Sequence, residues 1–375
     1  MKIIYVITSA GRDAYTAMTR VSAASLRMTN PQARVAVACD RETDRAVRAA
    51  QDPLLGDVDE WLAFETPPGE AAFRNRFLKT SLRQRVSGEY LFLDSDTVVR
   101  DALSAVFRMP GDLAAAPNHS RENISGQIWE GDVATLAEMG WTTDPALYVN
   151  GGVMRVSDSD GARRFYRQWH EKWLASYRQL RKHNDQPGLN AAIHEARIEC
   201  ARLPVRYNAQ IGAYPVAMRD AAVWHYNASL EWQAFSRIDE LIQQAVRSDS
   251  VDRRKLEKLM RSQALWTRPF WFVGAGAHMI NGSVRDLVAT VRSGGDADAL
   301  FRAMQKVDPI YARRVLAKTM ADAYWGDVPE AYRFARARLL RRYPGEALRQ
   351  PARGCLLHAF RRRFQAPETE PSSRG

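Results

Sequence analysis

In Tyr90-Leu-Phe-Leu-Asp-Ser-Asp-Thr-Val-Val99, four apolar residues run straight into two aspartates separated by one serine. Tyr90 to Leu93 shows no polar alternation, so it reads as a strand buried on both faces. Asp94 and Asp96 then stand where that strand ends. In open α/β sheets, ligands collect outside the carboxyl ends of the strands. Carboxylates two apart on a leaving strand can converge on one hard divalent cation, and such a cation can also bind a diphosphate. The alternative is a solvated turn, since Asp-x-Asp alone is common by chance.

Outward from this run, the chain alternates strands and helices. Ile3 to Ile7 reads as a first strand, followed by the turn-forming loop Thr8-Ser-Ala-Gly-Arg-Asp13. Tyr15, Met18, Val21, Ser25 and Leu26 recur at helical spacing, and Asn30-Pro31 ends that helix. Ala33 to Cys39 is a second strand. Strand, helix, strand in this order argues for a parallel sheet with right-handed crossovers. Asp52 to Gly69, with Pro53, Gly56, Pro67 and Pro68, reads as loop, and residues 71–87 read as helix. Asp101 is placed to cap a short helix through Leu103, Val106 and Phe107. Leu113 to Ala116 reads as a short strand, and Ser120 to Asp144 as a polar, irregular region, a variable loop or short helix beside the site.

Tyr148-Val-Asn-Gly-Gly-Val-Met-Arg-Val156 resumes a strand, and glycine inside a strand often marks close approach of a ligand or another backbone. The next helix carries Phe165, Trp169, Trp173 and Tyr177 on one face, a stripe that reads as core, with His170 a surface or packing residue. His183 to Asn190 opens a short helix, Arg202 to Tyr207 reads as a strand, and Val223 to Asn227 as another. After about residue 240 the pattern is helical. The expected division is therefore 1–240 for an α/β catalytic domain, 241–365 for a helical, basic region, and 366–375 for a disordered tail.

Composition narrows the class. A hydrophobic share of 46% over 375 residues supports a real core, and no run approaches the ~20 apolar residues of a membrane span. The first residues, Met1 to Thr8, are too short for a signal-peptide core and read better as strand. Cys39, Cys200 and Cys355 are scattered, so neither a disulfide framework nor a zinc spacing is expected and a reducing cytoplasm is the simplest setting. The net charge of +11 is concentrated: from Ala331 to Gly375, eleven arginines face three glutamates, a net of +8 that leaves the first 330 residues with +3. A nucleic-acid enzyme would be expected to spread its basic residues along the site, so that class is set aside.

Five separated motifs agree in order, and over roughly residues 1–235 the chain resembles the nucleotide-sugar glycosyltransferases of the GT-A fold. The resemblance is to the retaining group of family 8, the glycogenin-like and lipopolysaccharide-galactosyltransferase-like enzymes. Tyr15 stands eleven residues before Leu26, as in that group's opening Ala-Tyr…Ser-Leu helix. Asn75-Arg-Phe-Leu-Lys79 resembles its basic helix before Asp-x-Asp, and Tyr148-Val-Asn-Gly-Gly-Val153 its Phe-Asn-Ser/Ala-Gly-Val strand. Asn184-Asp-Gln-Pro-Gly-Leu-Asn190 resembles its Asp-Gln-x-x-Leu-Asn motif, and Trp224-His-Tyr226 sits where the group carries a metal-binding histidine. The fold implied is α/β, a mixed and mainly parallel sheet flanked by helices, with a helical C-terminal extension.

The resemblance implies roles that the residue types can bear. Asp94, Asp96 and His225 offer two carboxylates and one imidazole, a set that suits Mn²⁺ better than Mg²⁺. The alternative for His225 is a buried histidine beside Trp224. Lys79 would meet the diphosphate as a point charge, a role for which Arg74 and Arg76 compete, or be an ordinary helix lysine. Tyr15 would stack on the nucleobase and Thr8 would hydrogen-bond the nucleoside, with Ser95 also among the nucleotide-sugar-binding residues, and for Tyr15 the alternative is a core tyrosine under the first helix. Asn150 would reach sugar hydroxyls while Gly151 and Gly152 leave room for the ring. Asp185 would bind donor hydroxyls, unless it only caps a helix. Gln186 would lie by the anomeric carbon, where a poor nucleophile favours front-face substitution. Lys182 departs from an acidic residue of the glycogenin-like motif, which bears on the donor sugar.

The expected function is metal-dependent transfer of a sugar from a nucleotide sugar, a UDP-hexose, to a glycan or glycolipid, with retention. The alternatives are a sugar-nucleotide pyrophosphorylase, for which Ser9-Ala-Gly-Arg12 is a thin version of the required glycine-rich loop, and a degenerate scaffold. At the C-terminus, Tyr332, Ala335, Leu339 and Tyr343, then Leu356, Leu357, Phe360 and Phe364, fall on helical faces among arginines. Such helices can lie peripherally on an anionic inner-membrane face or pack on the protein.

Overall fold

A computed structural model describes residues 1–120, 127–210, 220–226, 238–261, 274–307, 309–325 and 328–342. The elements run β1 (Lys2–Ile7), α1 (Ala14–Thr29), β2 (Arg34–Asp40), α2 (Arg41–Ala49), α3 (Leu54–Asp57), β3 (Glu60–Phe64), α4 (Ala71–Arg85) and β4 (Tyr90–Leu93). They continue with β5 (Thr97–Val99), α5 (Ser104–Phe107), β6 (Leu113–Pro117), α6 (Glu130–Glu138), β7 (Val149–Val156), α7 (Asp160–Leu180), α8 (Gln186–Ala196), β8 (Cys200–Arg202), β9 (Ala209–Gln210) and β10 (Val223–His225).

A seven-stranded sheet has the order β3-β2-β1-β4-β7-β6-β8. β1 pairs in parallel with both β2 and β4, and β7 alone runs antiparallel to its neighbours β4 and β6. The sheet is therefore mixed and mainly parallel, as the GT-A resemblance implies. β1 is apolar throughout because both its faces are covered. Ile3, Tyr5 and Ile7 face Ala23 and Leu26 of α1, while Ile4 and Val6 join Leu78 and Leu82 of α4 and Phe165 and Trp169 of α7. Order 3-2-1-4 turns the chain to opposite sides of β1, so the switch point lies between the carboxyl ends of β1 and β4, where Thr8 and Asp94 emerge.

A second, three-stranded sheet has the order β5-β10-β9. β5 follows the aspartates directly, and its antiparallel pairing sets His225 opposite Thr97. The amide of Tyr226 also donates to the Asp96 carbonyl over 2.8 Å.

Several expectations need correction. Within Asp52–Gly69 lie α3 and the edge strand β3, whose pairing with β2 outweighs its flanking prolines. Asp101 does not cap α5; its carboxylate accepts from the Ala102 amide and pairs with Arg206. Of the loop and short-helix readings of Ser120–Asp144, the helix holds within it as α6, with Asp132 and Thr135 buried. Arg202–Tyr207 is the last residue of β8 followed by a 3₁₀ turn at Val205–Tyr207. His170 is, of its two expected readings, the packing residue, edge-on to Phe77 with ring centres 4.7 Å apart and within 2.8 Å of the Thr80 hydroxyl.

The chain separates into two compact units, Met1–Gly282 and Ser283–Gly375. Helices Ile238–Arg247 and Arg253–Arg261 belong to the first, because Ile238, Leu241, Ile242 and Leu256 pack against Ala17, Met18 and Val21 of α1 and against Trp224. In the second, helices Ala297–Val307, Pro309–Trp325 and Pro329–Arg342 follow one another. Ala331, Ala335 and Leu339 are fully buried there, and Tyr332 packs beside Ala323 and Val328. Of the two readings of this helical face, membrane contact or packing, Ala331, Ala335 and Leu339 are spent on packing. Tyr343 and the Leu356–Phe364 stretch lie outside the described residues. No described helix is long and apolar enough to cross a membrane.

Candidate metal and donor-sugar site

The tight turn after β4 presents Asp94 half-buried and Asp96 buried. The turn is fixed from three sides. The Asp94 amide donates to the Gly152 carbonyl (2.8 Å), the Thr97 hydroxyl donates to the Asp94 carbonyl (2.8 Å), and the Thr19 hydroxyl donates to Ser95 Oγ (3.0 Å). Pairing of β5 with β10 then delivers His225, with Nε2 3.4 Å from Asp96 Oδ1 and 3.8 Å from Asp94 Oδ2. One donor atom from each of Asp94, Asp96 and His225 lies within 4.8 Å of the others, and among the described residues this is the one such cluster of three acidic, histidine or cysteine side chains.

Gly152 explains how these groups come so close. A Cβ there would stand 2.2 Å from His225 Cε1 and 2.9 Å from Asp94 Oδ2, distances no side chain tolerates. The glycine leaves room for His225 and Asp94 themselves. At Gly151 the neighbour is Leu189, 3.1 Å from a hypothetical Cβ.

The set fits a divalent cation. Two carboxylates and a neutral imidazole form a mixed oxygen–nitrogen donor set, which Mn²⁺ accepts. Burial pushes the His225 imidazole down, but the carboxylates of Asp96 and Asp94 outweigh it and hold the ring above its ordinary value. Cationic partners already gather on these acids. Lys79 Nζ, buried against the Phe92 ring, donates to both Asp94 oxygens at 3.0 and 3.3 Å.

Lys79 is therefore no exposed helix lysine. It also stands 3.9 Å from Asp185 Oδ2, and Arg76 Nε lies 3.1 Å from Asp185 Oδ1. Burial works against the Arg76 charge, yet Asp185, Asp94 and Asp96 together raise its pKa. Arg74 is committed elsewhere, to Asp40 and Glu42. Asp185 occupies the residue before α8 but makes no side-chain cap there, so its carboxylate serves the two cations instead.

Gln186 lies against β7, its Nε2 donating to the Val149 carbonyl (2.6 Å) and its Oε1 accepting from the Gly151 amide (3.3 Å). Asn190 clamps the same strand through Val149 N and O. The motif Asn184–Asn190 is thus stitched to Val149–Gly151. Asn150 turns its amide to Asn118, Asn208 and the Gly152 amide. Tyr15 is 48% exposed, which rules out the core alternative. Thr8 stands at the end of β1 and donates to the Ala71 carbonyl.

Three participants carried no sequence signal. Asn208, in no motif, meets His225 Nδ1 at 2.9 Å. Asp132, on α6, accepts from Asn184 Nδ2 (2.7 Å) and Tyr148 OH (3.0 Å), and burial lifts its pKa. Asn118 anchors Asn150. Lys182, the departure noted in sequence, faces α6, with Nζ 3.2 Å from Thr135 Oγ1 and 3.5 Å from a Glu138 oxygen.

No protein-family model and no curated protein matches the chain. Among solved structures, it is similar to the galactosyltransferase LgtC in complex with donor and acceptor sugar analogues. That match covers 66% of this chain and 95% of LgtC at 17% identity, with TM-score 0.45. The glycosyltransferase GlyE of Streptococcus pneumoniae TIGR4 matches over 72% of this chain and 66% of its own, at 15% identity and TM-score 0.44. The bifunctional glycosyltransferase WbbM matches over 75% and 52%, at 11% identity and TM-score 0.45. At these identities and scores the likeness assigns no residue to a role, so the chemistry rests on this chain's own side chains.

Proposed function

We propose that the protein is a metal-dependent glycosyltransferase that moves a hexose from a nucleoside-diphosphate sugar, UDP-linked, to a glycan or glycolipid, with retention. One observation carries this reading. Asp94, Asp96 and His225 converge at the sheet's switch point, with Lys79, Arg76, Asp185 and Gln186 next to them.

A bound Mn²⁺ would neutralise charge building on the leaving nucleoside diphosphate. The chain's own groups do the rest. Lys79 adds a buried positive charge beside the diphosphate position, and exposed Tyr15 offers its ring to the base. Asp185, held by Arg76 and Lys79, accepts from donor-sugar hydroxyls. Gln186 is neutral and fixed by two backbone groups of β7, so it can stabilise a positive anomeric centre without forming a bond to it. Front-face attack by the acceptor hydroxyl follows, the bond to the diphosphate oxygen breaking as the new glycosidic bond forms and the hydroxyl proton passing to the departing diphosphate oxygen.

The pyrophosphorylase alternative needs a loop after β1 with amides free to cradle phosphate. Here the Ser9 amide donates to Thr43, Ala10 to Asp13 and Gly11 to Ser9, and Arg12 pairs with Asp249. That commitment favours the transferase. A scaffold reading has no support in a site with all of these charged groups retained.

The test is a screen of UDP- and GDP-sugars for Mn²⁺-dependent hydrolysis without acceptor. Release of nucleoside diphosphate supports the reading, and pyrophosphate-dependent exchange in its place overturns it. Acceptor delivery at an anionic, cytoplasmic membrane face belongs to the same proposal and rests on the basic C-terminal composition.

A further inference from the structure

His225 can ligate a cation through Nε2 only if the proton of its neutral ring sits on Nδ1. What fixes that proton can be followed through a chain of buried amides, each with its oxygen and nitrogen assigned by a neighbour that has no choice.

At one end is the Gly152 backbone N–H, which can only donate. It faces Asn150 Oδ1 at 2.9 Å. At the other end is the Gln127 backbone carbonyl, which can only accept. It takes Asn118 Nδ2 at 2.6 Å, so Asn118 turns its Oδ1 to Asn150 Nδ2 at 3.1 Å. Both ends therefore pin the Asn150 amide in one orientation. The same Asn150 Oδ1 also receives Asn208 Nδ2 at 2.9 Å. That leaves Asn208 Oδ1 turned to His225 Nδ1, 2.9 Å away. An amide oxygen cannot donate, so Nδ1 must carry a hydrogen, and in the neutral ring this leaves Nε2 with its lone pair. Nε2 is the nitrogen that faces Asp94 and Asp96.

Resting on the metal-dependent reading above, we propose that Asn208 is a positioning residue that locks the His225 tautomer for cation binding, with Asn150 and Asn118 setting Asn208. Asn208 is fully buried and Asn118 nearly so, and a buried amide flipped against this network would leave donors facing donors. Partners of this kind on a ligating histidine fix ring orientation and raise ligand basicity, and their loss typically costs 10–100-fold in metal affinity.

The experiment uses the full chain and two readouts. Mn²⁺ titration followed by electron paramagnetic resonance should show Asn208→Ala binding about 10–100-fold more weakly than wild type. ¹⁵N NMR of the metal-free protein, with His225→Ala to assign the signal, reads the tautomer directly at a pH where the ring is neutral. Wild type should show a protonated Nδ1 and a bare Nε2, and Asn208→Ala should lose that preference. A merely structural asparagine would lower stability without moving the tautomer. An Nε2–H tautomer in wild type overturns the proposal even if the variant does not fold. So does a folded Asn208→Ala protein that binds Mn²⁺ as wild type does. Wild-type Mn²⁺ binding without any sugar-nucleotide hydrolysis would count against the transferase reading alone.

Discussion

His225 stands opposite Thr97 in an antiparallel strand pair, and so its Nε2 comes within 3.4 Å of Asp96 Oδ1. The small β5-β10-β9 sheet thus serves as the arm that completes the acidic cluster. It packs on α1 through Val98, Trp224 and Tyr226, which ties the arm to the main body.

Removing either acid should break the cluster. In Asp94→Ala, Lys79 loses its closest partner, and in Asp96→Ala, His225 loses its nearest carboxylate. Both variants are expected to abolish transfer and Mn²⁺-dependent donor binding. Calorimetry with donor, with and without Mn²⁺, checks this; unchanged metal-dependent affinity in either variant would sink the site assignment.

Gln186→Ala should separate chemistry from binding. Asn190 still donates to the Val149 carbonyl when the Gln186 amide is gone, so the strand keeps its anchor. Turnover is expected to fall on the order of 10²-fold, the scale associated with a misplaced reacting group, while donor affinity changes little. Normal turnover with only a raised KM would show that Gln186 merely binds donor.

Gly152→Ala should damage the cation site through shape alone. Its Cβ would enter the space of His225 Cε1, on a rigid ring whose Nδ1 is held by Asn208. Overpacking of this kind costs about 1–3 kcal/mol, so a lowered Tm together with weakened Mn²⁺ binding is expected. Thermal unfolding and the same Mn²⁺ titration measure both, and wild-type values for the two would refute the packing account.

His170 makes stability depend on pH. Burial pushes its pKa from 6.5 down to about 4, with Arg85 and Arg178 adding to the effect. The folded state therefore prefers the neutral ring. Its contribution is present above the unfolded value and is lost as pH falls through that of the folded state, between about 6.5 and 4. His170→Phe keeps the contact with Phe77 and removes the titration, so its Tm should fall less than that of wild type over this window. Parallel Tm–pH curves would exclude His170 as the source.

The basic C-terminus invites a vesicle test whose cut must respect the packing. Ending the chain near Glu330 would strip Ala331, Ala335 and Leu339 from the second unit and should lower its stability. Ending it after Arg342 removes only the more distal basic stretch. Co-sedimentation with anionic vesicles should fall with salt and vanish in the chain ending at Arg342, while donor hydrolysis survives. If neither form sediments with anionic vesicles at low salt, the acceptor is to be sought in solution.

Much of the architecture was legible in local pattern. Continuous apolar runs at Ile3–Ile7 and Tyr90–Leu93 announce strands covered on both faces, because only burial makes such runs favourable. The stripe Phe165–Trp169–Trp173 marks a helix on the core, and the aspartates after β4 mark the site by the rule of strand ends. β3 escaped notice because its stability comes from pairing with β2, which outweighs the local turn signals. What pattern could not supply is which distant groups share a site. Coulombic and hydrogen-bonding terms act over a few ångströms of space, whatever the separation along the chain. The pairing of Arg76 with Asp185, the fit of His225 over Gly152, and the amide relay from Gln127 through Asn118, Asn150 and Asn208 exist only once the two sheets and α8 are packed together.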